Sequence, residues 1–340
     1  EPLFRVPGWP DATTEALRDV IDLTGSDSAM LDNVAELVAL AGRELPHVFA
    51  MLVPEAWEGI SDMPEELRAF YRFHACLTEP WDGPAALVFA DGRWVGARLD
   101  RNGLRPMRYA VLEDGSVFAG SEVGIFDLDP HRVEIYGKLG PGQMIAFDLA
   151  EARFWSDAEL KRRLAQRQPY ADWLNAHVID VDRAVHPAPA TAEAAAWPPS
   201  GEEALLRQQA AFGYTSEEIT VVIKPMVDDG KEANGSMGDD TPHAVLSRVH
   251  RPLFHYFKQR FAQVTNPAID HLRERLVFSL TTRLGPRPNL LVEAPEQARV
   301  IELPSPFLTD DELAQLKQLD AAVAGFGTAV LSTLFPVADG

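Results

Sequence analysis

The sequence predicts an α+β protein of two domains, and three observations support this prediction. Apolar residues recur at helical spacing before residue 80, strand-like runs follow between residues 85 and 148, and helical spacing returns after residue 156. A stretch rich in alanine and proline, residues 183–200, interrupts these patterns and is typical of an extended linker. Helices on either side of a run of antiparallel strands indicate a layered α+β domain.

Three helices are predicted ahead of the strands, and the first covers residues 11–23. The second starts at Ser26 and stops before Gly42, because serine is a preferred helix N-cap and glycine a preferred terminator. The third follows Pro64 and runs to Leu77, since proline suits the first turn of a helix.

Six strands are predicted next, and their strongest signals are the dipeptides Asp91-Gly92 and Asp114-Gly115, which favour tight hairpins. The strands span residues 85–90, 93–99, 108–112, 116–119, 132–136 and 143–148. Further helices are predicted at residues 156–168, 169–176, 201–212, 216–227, 252–264, 267–280 and 309–319. We therefore predict a first domain over residues 1–182, a linker over 183–200 and a second, α/β domain over 201–340.

The charge and the cysteine content exclude several classes of protein. With 31 basic and 51 acidic residues the net charge is −20, which argues against nucleic-acid binding. A run of about 18 apolar residues, as a membrane span requires, is absent, so we expect a cytoplasmic protein. The single cysteine excludes a disulfide framework within the chain, and the nine histidines lack metal-ligand spacing, so no metal site is expected.

The first candidate site is the turn formed by Ser26, Asp27 and Ser28 at the start of the second helix. Free N–H groups at a helix start attract anions, and a carboxylate there could bind the ammonium group of an amino acid. The alternative is that this turn is an ordinary helix cap without a ligand.

The second candidate is the turn that contains Asp100, Arg101, Gly103 and Arg105. Gly103 permits a positive φ angle, and the three charged side chains could form a buried ion-pair cluster. A substrate-positioning role and a structural role are both open, and we favour the structural one.

Cys76 is interpreted as a core residue rather than a nucleophile. Its neighbour His74 is two residues away on a helix, and residues at that spacing do not face each other. Free cysteine commonly behaves as a small apolar side chain.

Long segments of the sequence resemble the glutamine amidotransferase domain of the large subunit of glutamate synthase: residues 26–57, 73–109 and 118–144. Residues 205–219, 230–247 and 256–280 resemble the start of the central domain of the same enzyme. The resemblance implies a partial αββα fold of the N-terminal-nucleophile hydrolase type, followed by part of an α/β central domain. It also implies that Asp27, with Ser26 and Ser28, binds the α-amino group of glutamine, and that residues 100–105 form a structural turn near that site.

The family uses an N-terminal cysteine as nucleophile and an Asn-Gly pair as oxyanion hole, and both are missing from the expected positions here. Residue 1 is glutamate, and Asn102-Gly103 belongs to the strand turn instead. We therefore assign no catalytic residue, do not transfer the nucleophile to Cys76, and expect the isolated chain, an internal fragment, to be inactive.

The resemblance implies that the full enzyme transfers the amide nitrogen of glutamine to 2-oxoglutarate and reduces the product to glutamate. FMN and an iron–sulfur cluster would be bound by the rest of the enzyme, and no cofactor or metal by this segment. Expected partners are glutamine, the remaining domains, and a small NADPH-dependent subunit or ferredoxin. Two alternatives stay open: another class II amidotransferase, and a non-catalytic glutamine-binding or scaffold protein.

Overall fold

The computed structural model describes residues 5–10, 13, 16–17, 20–122, 124–180, 201–230, 246–248, 274, 277–286, 288–319 and 327–332. The chain divides into two compact units, one made of Glu1–Ala188 with Ala268–Gly340 and the other of Pro189–Pro267. The predicted linker and the helices predicted at 252–264 and 267–280 lie wholly or largely outside the described residues. Of the helix predicted at 11–23, Thr13 and Ala16 are helical, whereas residues 20–23 lie outside any helix, so the predicted end is too late. The predicted domain boundaries therefore remain a prediction.

Between residues 20 and 180, the described part of the first unit contains the helices α1 Asp27–Leu40, α2 Leu45–Leu52, α3 Glu65–Leu77, α4 Asp157–Ala165 and α5 Tyr170–His177. Helix α1 begins where the Ser26 hydroxyl accepts a hydrogen bond from the Ala29 amide at 3.3 Å. Beyond its end lies Gly42, whose φ of 105° is unfavourable for other residues. The cap and the stop inferred from the sequence are both confirmed.

The strands of this unit are β1 Ala86–Ala90, β2 Trp94–Leu99, β3 Arg108–Leu112, β4 Val117–Gly120, β5 Val133–Lys138, β6 Met144–Asp148, β7 Arg153–Trp155, β8 Ile179–Asp180, β9 Thr282–Leu284 and β10 Ile301–Leu303. The first sheet has the order β1-β2-β6-β7 and is antiparallel throughout. The second sheet, β4-β3-β5, is antiparallel as well. The six predicted strands are confirmed with shifts of one or two residues at their ends.

One face of the first sheet packs against the helices and forms the main core. Phe89, Trp94 and Met144 point to this face and join the buried residues of α1 to α5 in one apolar cluster. Alternate residues of a strand point to opposite faces, so Ala97 and Ile145 lie on the other side. There they form a smaller core with residues that flank the second sheet.

The order of layers is therefore helices, first sheet, second sheet. Apolar side chains on the strands remain exposed, with 70 % of Val88 and 66 % of Tyr136 accessible to solvent. The mixed helix and sheet composition agrees with the predicted α+β class.

A third sheet connects the C-terminal part of the first unit to its N-terminal part. Strand β10 pairs in parallel with β8, with Ile301 opposite Ile179, and antiparallel with β9. The 3₁₀ turn Pro295–Ala298 precedes β10 and contacts α3 and α5. Residues far apart in the chain thus pack together. Ala298 joins the main core, and the fully buried Ile301 forms a smaller cluster with Ile179 and Leu284.

In the second unit the described helices are α6 Glu202–Ala211, α7 Ser216–Glu218 and α8 Lys224–Asp229, with a π-helical segment Ile219–Ile223 between the last two. Thr215 and Glu218 form a capping box at the start of α7, where the sequence predicts that a helix begins. Helix α9, Asp310–Gln318, returns to the first unit and is capped by Thr309. Among the described residues, no helix is long and apolar enough to cross a membrane.

Candidate functional site

The turn before α1 presents Ser26, Asp27 and Ser28 on the protein surface, and all three residues are exposed. The two serine hydroxyls lie 3.0 Å apart, and the Ser28 amide donates a hydrogen bond to Asp27 Oδ1 at 2.7 Å. The carboxylate is thus held at the N-terminal end of a 14-residue helix, with one face open to solvent.

The chain that leads into this turn is braced by Asp22. Its Oδ1 accepts hydrogen bonds from the amide and the hydroxyl of Thr24, at 2.9 and 2.6 Å, and the hydroxyl contact lowers the pKa of the Asp22 carboxyl. The Asp22 amide donates to the side chain of Asn33 on α1 at 3.1 Å. These bonds fix the loop relative to the helix.

Asp100 is buried, but its partners differ from the expected ion-pair cluster. Its two carboxylate oxygens accept from the amides of Ala85 and Asn102, at 3.1 and 2.8 Å. Among the described residues no ion pair joins Asp100 to Arg101 or Arg105, which corrects the expectation. Buried main-chain amides need hydrogen-bond acceptors, and the Asp100 carboxylate supplies acceptors for these two amides.

Arg101 pairs with Asp82 instead. The guanidinium donates two hydrogen bonds to the carboxylate, at 3.0 and 2.6 Å, and this contact lowers the pKa of Asp82. Gly103 has a φ of 61°, and a Cβ at that position would lie 2.7 Å from the backbone of Pro141. Arg105 is exposed at the edge of a shallow groove.

A cavity of about 580 Å³ lies between the N-terminal region and residues 277–300 of the first unit. Arg101 and Glu58 belong to its wall, and burial raises the pKa of Glu58. Asp27 is not among the residues that line it. The structure therefore does not bring the two predicted turns together in this cavity.

Cys76 also lies at the cavity wall but is only 5 % exposed. Its thiol donates to the carbonyl of Arg72 at 3.3 Å, and burial raises its pKa to about 11. A thiol in this state is protonated near neutral pH, and only the thiolate is a strong nucleophile. The geometry agrees with a core role.

A buried cluster that the sequence did not reveal joins His47 of α2, His74 of α3 and Glu293. The two Nε2 atoms of the histidines lie 2.8 Å apart, and Glu293 Oε1 is 3.8 Å from His47 Nε2. Burial lowers the pKa of His74 to about 3 and that of His47 well below its usual range. The histidines are 27 residues apart, so no local spacing could have predicted the contact.

Two family models match the chain in succession. The model of the class-II glutamine amidotransferases matches residues 2–173, just over half of the chain, which include α1 to α4, the first turn of α5 and both antiparallel sheets. The chain belongs to the class-II glutamine amidotransferases. The model of the glutamate synthase central domain matches residues 207–339, so strands β9 and β10 come from the second matched region.

Several relatives of this chain are glutamate synthases. Ferredoxin-dependent glutamate synthase 2 of Synechocystis is 45 % identical over 328 residues, which are 96 % of this chain and 21 % of that protein. The glutamate synthase [NADPH] large chain of Azospirillum brasilense is 45 % identical over 325 residues, 95 % of this chain and 21 % of that protein. Glutamate synthase [NADH] of Schizosaccharomyces pombe is 41 % identical over 328 residues, which are 96 % of this chain and 16 % of that protein. The chain thus spans about a fifth of the length of these relatives.

Proposed function

We propose that this chain is part of a glutamate synthase, which transfers the amide nitrogen of glutamine to 2-oxoglutarate and reduces the product to glutamate. The observation that supports this most strongly is the succession of an amidotransferase match and a glutamate synthase central-domain match in one chain. The same succession argues against an unrelated class-II amidotransferase. The observed helix, sheet and sheet layers support a partial αββα fold.

Within that enzyme, we assign the Asp27 turn to recognition of glutamine. An exposed carboxylate can accept hydrogen bonds from an α-ammonium group, and hydrogen bonds to charged groups contribute about 1.5–3 kcal/mol. The neighbouring hydroxyls of Ser26 and Ser28 are 3.0 Å apart and offer further polar contacts. The turn at Asp100 serves as a rigid support because its carboxylate is occupied by main-chain amides.

The iron–sulfur cluster of such an enzyme does not fit this segment. Iron–sulfur clusters need several cysteine thiolates, and the chain has one cysteine, buried Cys76. We therefore place the cluster on other parts of the enzyme. From the resemblance to glutamate synthase, we place FMN and the contact with ferredoxin or a NADPH-dependent subunit there as well. This segment contributes part of the glutamine site and of the route taken by ammonia.

Replacement of Asp27 tests the assignment in the intact enzyme. Asp27→Asn removes the negative charge, so we expect KM for glutamine to rise by about tenfold, the equivalent of 1.4 kcal/mol. Synthesis of glutamate from added ammonium chloride should not change, because it bypasses the glutamine site. Steady-state assays with each nitrogen source measure both quantities.

Asp32→Asn is the matched control, since Asp32 is an exposed carboxylate on the same helix. Equal KM values for glutamine in the two variants would contradict the assignment of Asp27. A loss of activity with both nitrogen sources would point to damage of the fold instead, and would also count against a specific glutamine contact.

A further inference from the structure

We propose that His47, His74 and Glu293 bind a divalent metal ion of the zinc class. The three side chains offer ligand atoms that all lie within 4.8 Å of one another, and they come from three separate parts of the first unit. This inference does not depend on the proposed glutamine site, because none of the three residues belongs to the Asp27 turn.

The orientation of His74 prepares its Nε2 atom for a ligand. Its Nδ1 lies 2.8 Å from the carbonyl oxygen of Phe70, which only accepts hydrogen bonds, so Nδ1 carries the hydrogen. Nε2 therefore presents a lone pair toward His47. A metal-ligating histidine is usually held in this way, by donation from its second nitrogen to a carbonyl or a carboxylate.

Glu293 is oriented by a similar set of contacts. Tyr170 donates to its Oε1, and the Arg167 Nε donates to Oε2 at 3.1 Å. Oε1 has a further lone pair that an ion could use. Two imidazole nitrogens and one carboxylate oxygen are ligands that Zn²⁺ accepts, and a water molecule would complete a tetrahedral arrangement.

The distances between the candidate ligand atoms lie close to the value expected for a tetrahedral metal site. Metal–ligand bonds of about 2.0–2.2 Å place neighbouring ligand atoms roughly 3.3 Å apart. The observed separations of 2.8 Å between the histidines and 3.8 Å from His47 to Glu293 lie on either side of this value. Small rotations of the side chains would bring both separations to about 3.3 Å. With Nε2 of His47 bound to the ion, the hydrogen of that imidazole would lie on Nδ1.

The surroundings indicate a structural ion rather than a catalytic one. His47 and His74 are 0 and 2 % exposed, and the rings of Phe70, Phe73 and Tyr170 pack around them. Burial of this kind leaves no opening for a substrate, and structural zinc sites are closed in the same way. The ion would tie Glu293, in the region matched by the central-domain model, to α2 and α3.

Two guanidinium groups oppose the ion. Arg167 contacts Glu293, and Arg43 is buried nearby with its Nη1 bound to the carbonyl of Leu290 at 2.9 Å. Their positive charge repels the ion and limits its affinity. The competing arrangement is a neutral hydrogen bond between the two imidazoles with no ion.

Titration of the intact, chelator-treated protein with Co²⁺ distinguishes the two arrangements. We expect one equivalent to bind, with the visible absorption of a four-coordinate cobalt ion, and to be displaced by Zn²⁺. Glu293→Gln keeps the shape of the side chain and should weaken binding by about tenfold or more. His74→Ala should abolish the absorption.

The exposed His131, in the 3₁₀ turn Pro130–Arg132, provides the control His131→Ala, which should bind Co²⁺ as the unmodified protein does. Absence of the cobalt absorption in the unmodified protein would overturn the proposal and favour the neutral hydrogen bond. Equal affinity in the Glu293→Gln variant, whose folding circular dichroism verifies, would overturn it as well.

Discussion

Asp100 is 1 % exposed, and each of its carboxylate oxygens accepts a hydrogen bond from a different main-chain amide. A buried charge without partners is costly, and here main-chain amides supply the compensation. The sequence indicated that this aspartate belongs to a turn, but it suggested arginine as the partner. The structure corrects this because Asp82, 19 residues before Arg101, occupies the guanidinium.

Asp100→Asn should therefore destabilise the protein. Asparagine has one acceptor oxygen, so one of the two amides would lose its partner and face an NH₂ group. We expect a loss of about 1–3 kcal/mol in the free energy of unfolding, measured by urea denaturation.

Asp91→Asn is the control for this substitution. The Oδ1 of Asp91 alone accepts from the amides of Arg93 and Trp94, at 2.9 and 2.7 Å, and an asparagine oxygen reproduces both bonds. Equal losses of stability in the two variants would contradict the role given to the second oxygen of Asp100.

At the scale of the element, the hairpin β1-β2 depends on Gly96. This residue pairs with Phe89 across the hairpin, and the Phe89 ring covers the space that a Cβ would fill. The same Cβ would also lie 2.7 Å from the carbonyl oxygen of Ile145 on β6. Glycine is therefore required here by close packing rather than by a positive φ angle.

Gly96→Ala should cost about 1–3 kcal/mol of unfolding free energy, because overpacking forces neighbouring atoms to move. Adding Phe89→Leu should recover part of the loss, since the ring is one of the two obstacles. Thermal or urea denaturation of both single variants and the double variant measures the interaction free energy between the two positions.

The matching control is Gly140→Ala, whose added Cβ would meet only the flexible side chain of Gln143. If Gly96→Ala were as stable as Gly140→Ala, the close packing at Gly96 would not limit the sheet.

Helix α2 shows where local patterns fail to predict an element. All eight of its residues are buried, so it has no polar face and no helical alternation of apolar and polar residues. Strands β7 and β8 were also not predicted, and they are only three and two residues long. By contrast, α1 and the hairpin β1-β2 carry a serine cap and an Asp-Gly turn, which act locally and are visible in the sequence.

At the scale of the molecule, residues 277–303 contribute to the first unit through polar contacts as well as strand pairing. Glu302 of β10 accepts from the guanidinium of Arg72 on α3, at 3.0 and 2.7 Å. Arg283 of β9 lies 2.8 Å from the other oxygen of Glu302, an ion-pair distance without hydrogen-bond geometry. These contacts join the two regions matched by different family models.

Glu302→Ala should loosen this attachment, because it leaves Arg283, whose side chain is 14 % exposed, without its carboxylate partner. We expect faster hydrogen exchange of the amides in β9 and β10, and unchanged exchange in the hairpin β1-β2. Mass spectrometry of exchanged peptides from the intact protein measures both.

Glu113→Ala is the control, since Glu113 and Arg132 form an ion pair in which both side chains are about half exposed. Such surface pairs contribute little to stability. Exchange in β9 and β10 that is equally slow with and without Glu302 would show that strand pairing alone holds this segment.

The sequence by itself determined the α+β class, the capped helices, the two hairpins and the family to which the chain belongs. These properties depend on residues close in the chain, where caps, turn dipeptides and hydrophobic periods act directly. Only the tertiary structure decided the partners of Asp100 and Arg101, the contact of His47 with His74 and Glu293, and the packing of residues 277–303 against α3 and α5. Those contacts join distant residues whose pairing follows from the burial of charge and apolar surface in one core, which no local pattern encodes.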